Sequence, residues 1–153
     1  MVIVAPLKSE DRPAWEELAR GYKAFYRTPA TDAQYEAAWR QLRDEGSGLC
    51  GLGAYLGGAA GGEPAGALVG ITHYLFHPMM WYGDACYLQD LFVAEAARGR
   101  GAARALIERV AEMARSRGAA RLYWNTQEDN TRARLLYDKV ARFNGFIRYD
   151  YPL

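Results

Sequence analysis

The chain has 153 residues, half of them hydrophobic and 24% charged, with a formal net charge of +1. That length supports one domain with a proper core, spanning 1–153. The near-neutral balance gives no global field that would draw the chain to nucleic acid or to an anionic membrane, so any anion binding must be local.

In chain order, VIVA (Val2 to Ala5) predicts a short first strand, and the apolar part of MVIVAPLKSED is too short for a signal peptide. A helix then opens near Ser9 or Asp11, with Pro13 tolerated in its first turn. Trp15, Leu18, Tyr22 and Phe25 form its core-facing stripe. Pro29 breaks the pattern. Thr31 with Gln34 makes a capping box for a second helix, striped by Tyr35, Ala38, Trp39 and Leu42. GLCGLGAYLGG and AGALVGITHYLF read as two strands, with GGAAGGEPAG as a flexible loop between them. HPMMWYGDA turns the chain into CYLQDLFV, the clearest strand pattern. A long helix from about Gly101 to Arg117 buries Ala103, Leu106, Ile107, Val110 and Met113, and Gly118 ends it. ARLYWN is a strand, TRARLLYDKV a short helix and GFIRYDYPL a last strand. No apolar run approaches the length of a membrane span, and the expected location is the cytoplasm. Cys50 and Cys86 are far apart and form no disulfide framework. With His73 and His77 they give no metal-ligand spacing, so no metal is expected.

The junction between CYLQDLFV and the long helix concentrates Arg98, Gly99, Arg100, Gly101 and Arg104. A helix start exposes unpaired N–H groups and about half a positive charge. Glycine lets a ligand approach them, Ala102 and Ala103 keep the rim low, and the arginines add mobile charge. The segment is built like a pyrophosphate cradle, although a solvated glycine turn would use the same residues. A dinucleotide fingerprint would need a glycine where Arg104 stands, and the P-loop pattern is absent. Further on, Tyr137 follows Asn130 by seven residues. That is close to two helical turns, so both side chains share a face about 10 Å apart. Asn130 can cap the helix, and Ala133 leaves room for a chain to pass. Tyr137 could equally be core beside Leu136 and Val140.

R-G-R-G-A-A, Arg98 to Ala103, resembles the Q/R-x-x-G-x-G/A signature of the GCN5-related N-acetyltransferases. YLQDLFV resembles that family's fourth strand, and the Asn130–Tyr137 spacing is also similar to it. The likeness extends from about residue 3 to 151 and is closest to the diamine and polyamine acetyltransferases and to fungal enzymes acting on D-amino acids or histones. It implies an α/β (α+β) fold with a mixed central sheet of roughly six to seven strands, splayed between the fourth and fifth and flanked by about four helices. It also implies an N-acetyltransferase that uses acetyl-coenzyme A as co-substrate. The acceptor would be a primary amine of a small molecule, such as an amino acid, diamine or polyamine, attacking the thioester directly. A protein lysine or N-terminal amine is the alternative acceptor, and a non-catalytic acyl-coenzyme A binding module the alternative role.

On that resemblance, Tyr137 is the general acid for the leaving thiolate. The backbone N–H of Leu91 polarises the carbonyl, and Leu91, Phe92 and Val93 pair with the pantetheine arm by strand addition. Arg98, Gly99, Arg100, Gly101, Ala102, Ala103 and Arg104 hold the diphosphate, with Asn130, Ala133 and Tyr137 also against the cofactor. Gln89 stands where polyamine enzymes carry a glutamate base, and glutamine cannot take a proton. Asp90, Glu128, Asp129, His73 and His77 are the remaining base candidates, with His73 also suited to a structural place on its strand. Tyr22, Tyr26, Gln89, Asp90 and Trp124 are the expected acceptor-binding residues, along with residues around His77 to Trp81. Pairing through the terminal GFIRYDYPL into a homodimer is a further expectation.

Overall fold

The computed structural model of the chain describes residues 1–60 and 63–153. Its elements are β1 (Val2–Pro6), α1 (Arg12–Phe25), α2 (Asp32–Arg43), β2 (Leu49–Ala60), β3 (Glu63–Met79), β4 (Gly83–Val93), α3 (Ala102–Ser116), β5 (Arg121–Tyr123) and α4 (Thr131–Val140). The strands form one open sheet in the order β1-β2-β3-β4-β5. The first four are antiparallel neighbours, and β5 joins β4 in parallel after the α3 crossover.

Local chemistry accounts for the helix boundaries. A 3₁₀ turn over Ser9–Asp11 leads into α1, with proline in its first turn. The capping box at α2 forms as the sequence predicts. Gln34 N–H donates to Thr31 Oγ1, and Gln34 Oε1 accepts from the Thr31 N–H at 2.8 Å. Arg20 ties the two helices together on their outer side, reaching Glu16 on α1 and Asp32 on α2. Helix α3 ends at a left-handed Gly118.

The sheet is covered on both faces. One face packs Leu7, Trp15, Leu18, Ala19, Tyr35, Trp39 and Ile71 under α1 and α2. The other packs Leu52, Ala54, Tyr74, Cys86 and Leu88 against Leu106, Ile107 and Val110 of α3. Within the expected stripes, Phe25, the last residue of α1, is half exposed, and Ala38 is exposed while its neighbour Trp39 is buried.

Two expectations need correction. GGAAGGEPAG is not a loop through most of its length. β2 and β3 stay paired from Gly57↔Gly66 to Ala60↔Glu63, and only residues 61 and 62 fall outside the described part. Glycine is needed in this ladder because a Cβ on Gly66 would stand 2.1 Å from the Leu56 carbonyl oxygen. Among the described residues, moreover, the sheet has five strands and not six or seven. GFIRYDYPL forms no strand, and Phe146, Ile147, Tyr149, Tyr151 and Leu153 stand exposed. The edge it would extend offers only three residues of β5. Beyond that edge a groove of about 680 Å³ runs between α3, β5 and α4, lined by Ile107, Leu122, Trp124 and Val140 among others.

Candidate active site

The site begins with a defect in β4. This strand pairs with β3 along its length but with β5 only at Ala85↔Arg121, Cys86↔Leu122 and Tyr87↔Tyr123. From Leu88 to Val93 the β5-facing edge of β4 has no strand beside it among the described residues, which is the splay the fold class implies. At the same place the register against β3 slips. Tyr74 faces Leu88 while His73 faces Asp90, so Gln89 is the extra, exposed residue of a bulge. The buried Thr72 pins it by donating from Oγ1 to the Asp90 carbonyl at 2.8 Å. Leu91, Phe92 and Val93 all lie on this open stretch.

The chain leaves β4 into the glycine-arginine turn. Gly99 (φ 77°) and Gly101 (φ 83°) are both left-handed, a conformation other residues adopt at a cost. Nothing lies within 4 Å of where a Cβ would stand on either, so the space over the turn is open. Gly101 is the N-cap of α3 and no side chain caps that end, which leaves the first-turn N–H groups facing outward. Ala102 is buried and Ala103 half-buried, keeping the rim low. The three arginines differ from one another. Arg98 is tied back to β4, its Nε donating to the Val93 carbonyl at 3.3 Å. Arg104 pairs with Glu108 at 2.8 Å, and Arg100 is exposed.

Across the open edge stand α4 and the end of α1. Asn130 caps α4, accepting from the Ala133 N–H at 3.4 Å, and its Nδ2 donates to Thr126 Oγ1 at 3.1 Å. Two turns on, Tyr137 is half-buried with its ring 5.4 Å from that of Trp124, edge to face. Burial, with a smaller contribution from Tyr26, pushes its phenol up to about 12. Tyr26 stands close to Thr126 and Asn130, and its ring lies 4.9 Å from Tyr22. Burial, reinforced by the Asp90 charge and a hydrogen bond to that carboxylate, lifts the Tyr22 phenol well above its ordinary range. Burial alone would raise Asp90 as well. The hydrogen bond from His73 and the charge that imidazole carries when protonated, with smaller contributions from Tyr22 and Lys23, outweigh this and hold it below the usual carboxylate range.

The structure thus brings Tyr22, Tyr26, Asp90, Trp124, Asn130 and Tyr137 together from α1, β4, the end of β5 and α4. Other expected acceptor aromatics go elsewhere. Tyr35 and Trp39, the stripe of the second helix, are core, and the residues expected around His77 to Trp81 face away from this cluster. His77 bonds the Tyr123 hydroxyl at 2.8 Å, while Met80, Trp81 and Tyr82 stand exposed at the β3–β4 turn. The sequence reading missed the surroundings of Asp90. His73 Nδ1 lies 2.9 Å from Asp90 Oδ2, and the Trp15 indole N–H donates to His73 Nε2 at 2.9 Å. No sequence spacing foretells this contact, because it depends on the register beside the bulge. Among the described residues, no group of three or more His, Cys, Asp or Glu side chains could hold a metal ion.

Comparison with known proteins agrees with this geometry. Residues 13–143 match the acetyltransferase (GNAT) family. The chain is 33% identical over 141 residues to a D-amino-acid N-acetyltransferase of Saccharomyces cerevisiae, covering 92% of this chain and 84% of that protein. Among solved structures, the ribosomal-protein-alanine N-acetyltransferase of Brucella melitensis biovar Abortus 2308 superposes with a TM-score of 0.81 at 25% identity, each chain covered in full. AAC(6')-Iy, solved with the bisubstrate analogue CoA-S-monomethyl-acetylneamine, superposes at 0.79 with 16% identity, covering 100% of this chain and 99% of that one, and so shares the fold.

Proposed function

The chain belongs to the acetyltransferase (GNAT) family, and from that premise we propose that it transfers the acetyl group of acetyl-coenzyme A to a primary amine of a small molecule. The curated relative's name makes amino acids, D-amino acids foremost, the leading acceptors. The observation that carries this reading is that Tyr26 stands near both an acidic carboxylate, Asp90, and a protonated phenol, Tyr137, beside the open edge of β4.

The residues fit the cofactor. The glycine turn offers left-handed torsions, open space over Gly99 and Gly101, and uncapped N–H groups at Ala102 and Ala103, which together suit a diphosphate. Arg100 supplies an exposed cation there, and Arg98 fixes the turn to the end of β4. The stretch Leu91 to Val93, paired with β3 but open on its β5-facing edge, suits an amide-bearing arm added as a strand. Bound acetyl-coenzyme A supplies the activated acyl group.

Each residue of the chain then has a task. Asp90, anionic at neutral pH, attracts the acceptor ammonium and holds it beside Tyr22 and Tyr26. Because Asp90 sits below the ordinary carboxylate range, it suits this anchoring better than lasting possession of a proton, which passes on to water. Tyr137 keeps its own proton at Oη, available to a developing thiolate. The Leu91 N–H is assigned to polarise the acyl oxygen. Gln89 has no such task in proton transfer, in contrast to the glutamate expected of polyamine enzymes. The C-terminal segment is assigned to pairing with a second copy of the chain.

The test is thiol release from acetyl-coenzyme A across a panel of D- and L-amino acids, diamines, polyamines and a basic peptide. Turnover with amino acids is expected. Turnover with the peptide alone would move the acceptor to proteins, and tight binding of acetyl-coenzyme A without turnover on any amine would leave a binding module.

A further inference from the structure

Both ring nitrogens of His73 are committed. Nε2 lies 2.9 Å from the Trp15 indole nitrogen, and Nδ1 lies 2.9 Å from Asp90 Oδ2. An indole N–H can only donate, so Nε2 must be the acceptor and carries no proton. The proton of the imidazole therefore sits on Nδ1 and is donated to Asp90. Trp15 is 2% exposed and wedged against Trp39, with ring centroids 5.0 Å apart, so the indole cannot easily turn away. A fixed indole thus sets the tautomer, the tautomer sets a donor, and the donor fixes one oxygen of Asp90. The Tyr22 phenol stands close to the same carboxylate. In this state His73 offers Asp90 a neutral donor. The carboxylate's charge is aimed and partly desolvated, yet not neutralised by contact with a cation.

We propose that Trp15 and His73 are positioning residues for amine recognition, a hydrogen-bonded chain from the core that aims the Asp90 carboxylate at the incoming ammonium group. This rests on reading the cleft as the amine site. Neither residue touches the reacting atoms. Their effect is on how well the acceptor binds, because an oriented carboxylate need not be reorganised when a cation arrives. A freely rotating Asp90 would have the same charge but would lose orientation on binding.

The experiment compares wild type with His73→Leu, His73→Asn and Trp15→Phe, measuring kcat, the amine KM and the acetyl-coenzyme A KM, together with the ¹⁵N chemical shifts of His73. In the wild type and Trp15→Phe the shifts report the tautomer without any turnover. The wild type is expected to carry its proton on Nδ1. His73→Leu should raise the amine KM about 10-fold to 100-fold, the range for losing a hydrogen bond to a charged group, with the acetyl-coenzyme A KM unchanged. His73→Asn can place an amide N–H near the former Nδ1 and should recover most of that loss. Trp15→Phe keeps an aromatic ring in the core and should give mixed tautomers with an intermediate amine KM. A wild-type proton on Nε2, an unchanged amine KM in His73→Leu, or a His73→Asn variant as poor as His73→Leu would overturn the proposal. If the wild type turns over no amine, the reading of the cleft falls. If amines are turned over and the variants leave the amine KM untouched, only the positioning role falls.

Discussion

Tyr137 illustrates how far one residue's chemistry depends on its surroundings. As a sequence letter beside Leu136 and Val140 it could be packing, and only its spacing from Asn130 separated it from that reading. In the fold it stands against Trp124 and near Tyr26, and burial pushes its phenol up to about 12. The sign of that shift decides its use. A phenol with a raised value is protonated throughout the neutral range, so it can donate but cannot serve as a base. Tyr137→Phe should therefore lower kcat by about 100-fold, within the usual span for a positioned acid, while the acetyl-coenzyme A KM stays within about twofold by the same reasoning of a lost transition-state contact. In the wild type, kcat should show no falling alkaline limb from this group between about pH 8 and 10. A limb centred near pH 9 that disappears in Tyr137→Phe would contradict the assignment, and steady-state rates across that range decide it. Asp90 shows the converse limit of sequence reading. Strand alternation places it opposite Gln89, but the bulge makes Gln89 the odd residue out and joins Asp90 to His73. A one-residue slip is invisible to a period-two pattern.

Among the elements, α4 was plainly legible and carries the clearest test. Its bounds, Thr131–Val140, match the sequence expectation, because Asn130 is a strong cap and the chain immediately after Val140 loses its helical pattern. Asn130 does more than cap. It bonds Thr126 through Nδ2 and also contacts Tyr26, so the start of α4 is fastened to both β5's exit and the end of α1. Asn130→Ala should cost about 1 kcal/mol of stability, the ordinary value of a lost cap, and should also lower kcat because the helix that presents Tyr137 is freed at its base. Asn130→Asp can still cap and should keep the stability while losing the donor to Thr126. Thermal denaturation read beside kcat separates the two effects, and an Asn130→Ala variant with wild-type stability and rate would remove α4's fastening from the account. Strand β4 and the start of α3 were equally legible, since an aromatic and β-prone run followed by Gly99 and Gly101 has few alternatives. The β2–β3 ladder was not. Gly57, Gly58 and Gly66 read as loop because glycine weakens a strand on average, whereas here the strands approach so closely that a side chain on Gly66 would collide with Leu56. Propensity describes the residue, and this contact belongs to the pair.

For the whole molecule, the surplus strand in the expected six or seven is the informative failure. GFIRYDYPL has the alternation of a strand, with Ile147, Tyr149, Tyr151 and Leu153 on one side, yet it pairs with no strand among the described residues and leaves those side chains in water. Met80, Trp81 and Tyr82 are exposed at the β3–β4 turn. The two apolar regions arise at one end of the sheet. The Ala120 N–H donates to the Asp84 carbonyl at 2.9 Å, which sets the start of β5 beside that turn. Val140 and Ala141, where the tail departs, line one groove with Ala119 to Leu122. A monomer seldom leaves so many large apolar side chains together in solvent. A nine-residue extended segment spans about 30 Å, long enough to lie along the free edge of β5 and the groove beyond it in a neighbouring copy. Light scattering on a sizing column should therefore give twice the 17.1 kDa chain mass for the full chain and the single mass for a chain lacking residues 145–153. Ile147→Lys with Tyr151→Lys, which keeps the length but charges the apolar side, should also be monomeric, and either variant should retain its helical circular dichroism. Hydrogen exchange completes the argument. Amides from 146 to 151 should be protected at high protein concentration and lose protection on dilution. Protection that ignores dilution would mean that the segment folds back on its own β5, and a full chain that stays monomeric at tens of micromolar, where standard-sized interfaces are normally occupied, would remove the second copy altogether.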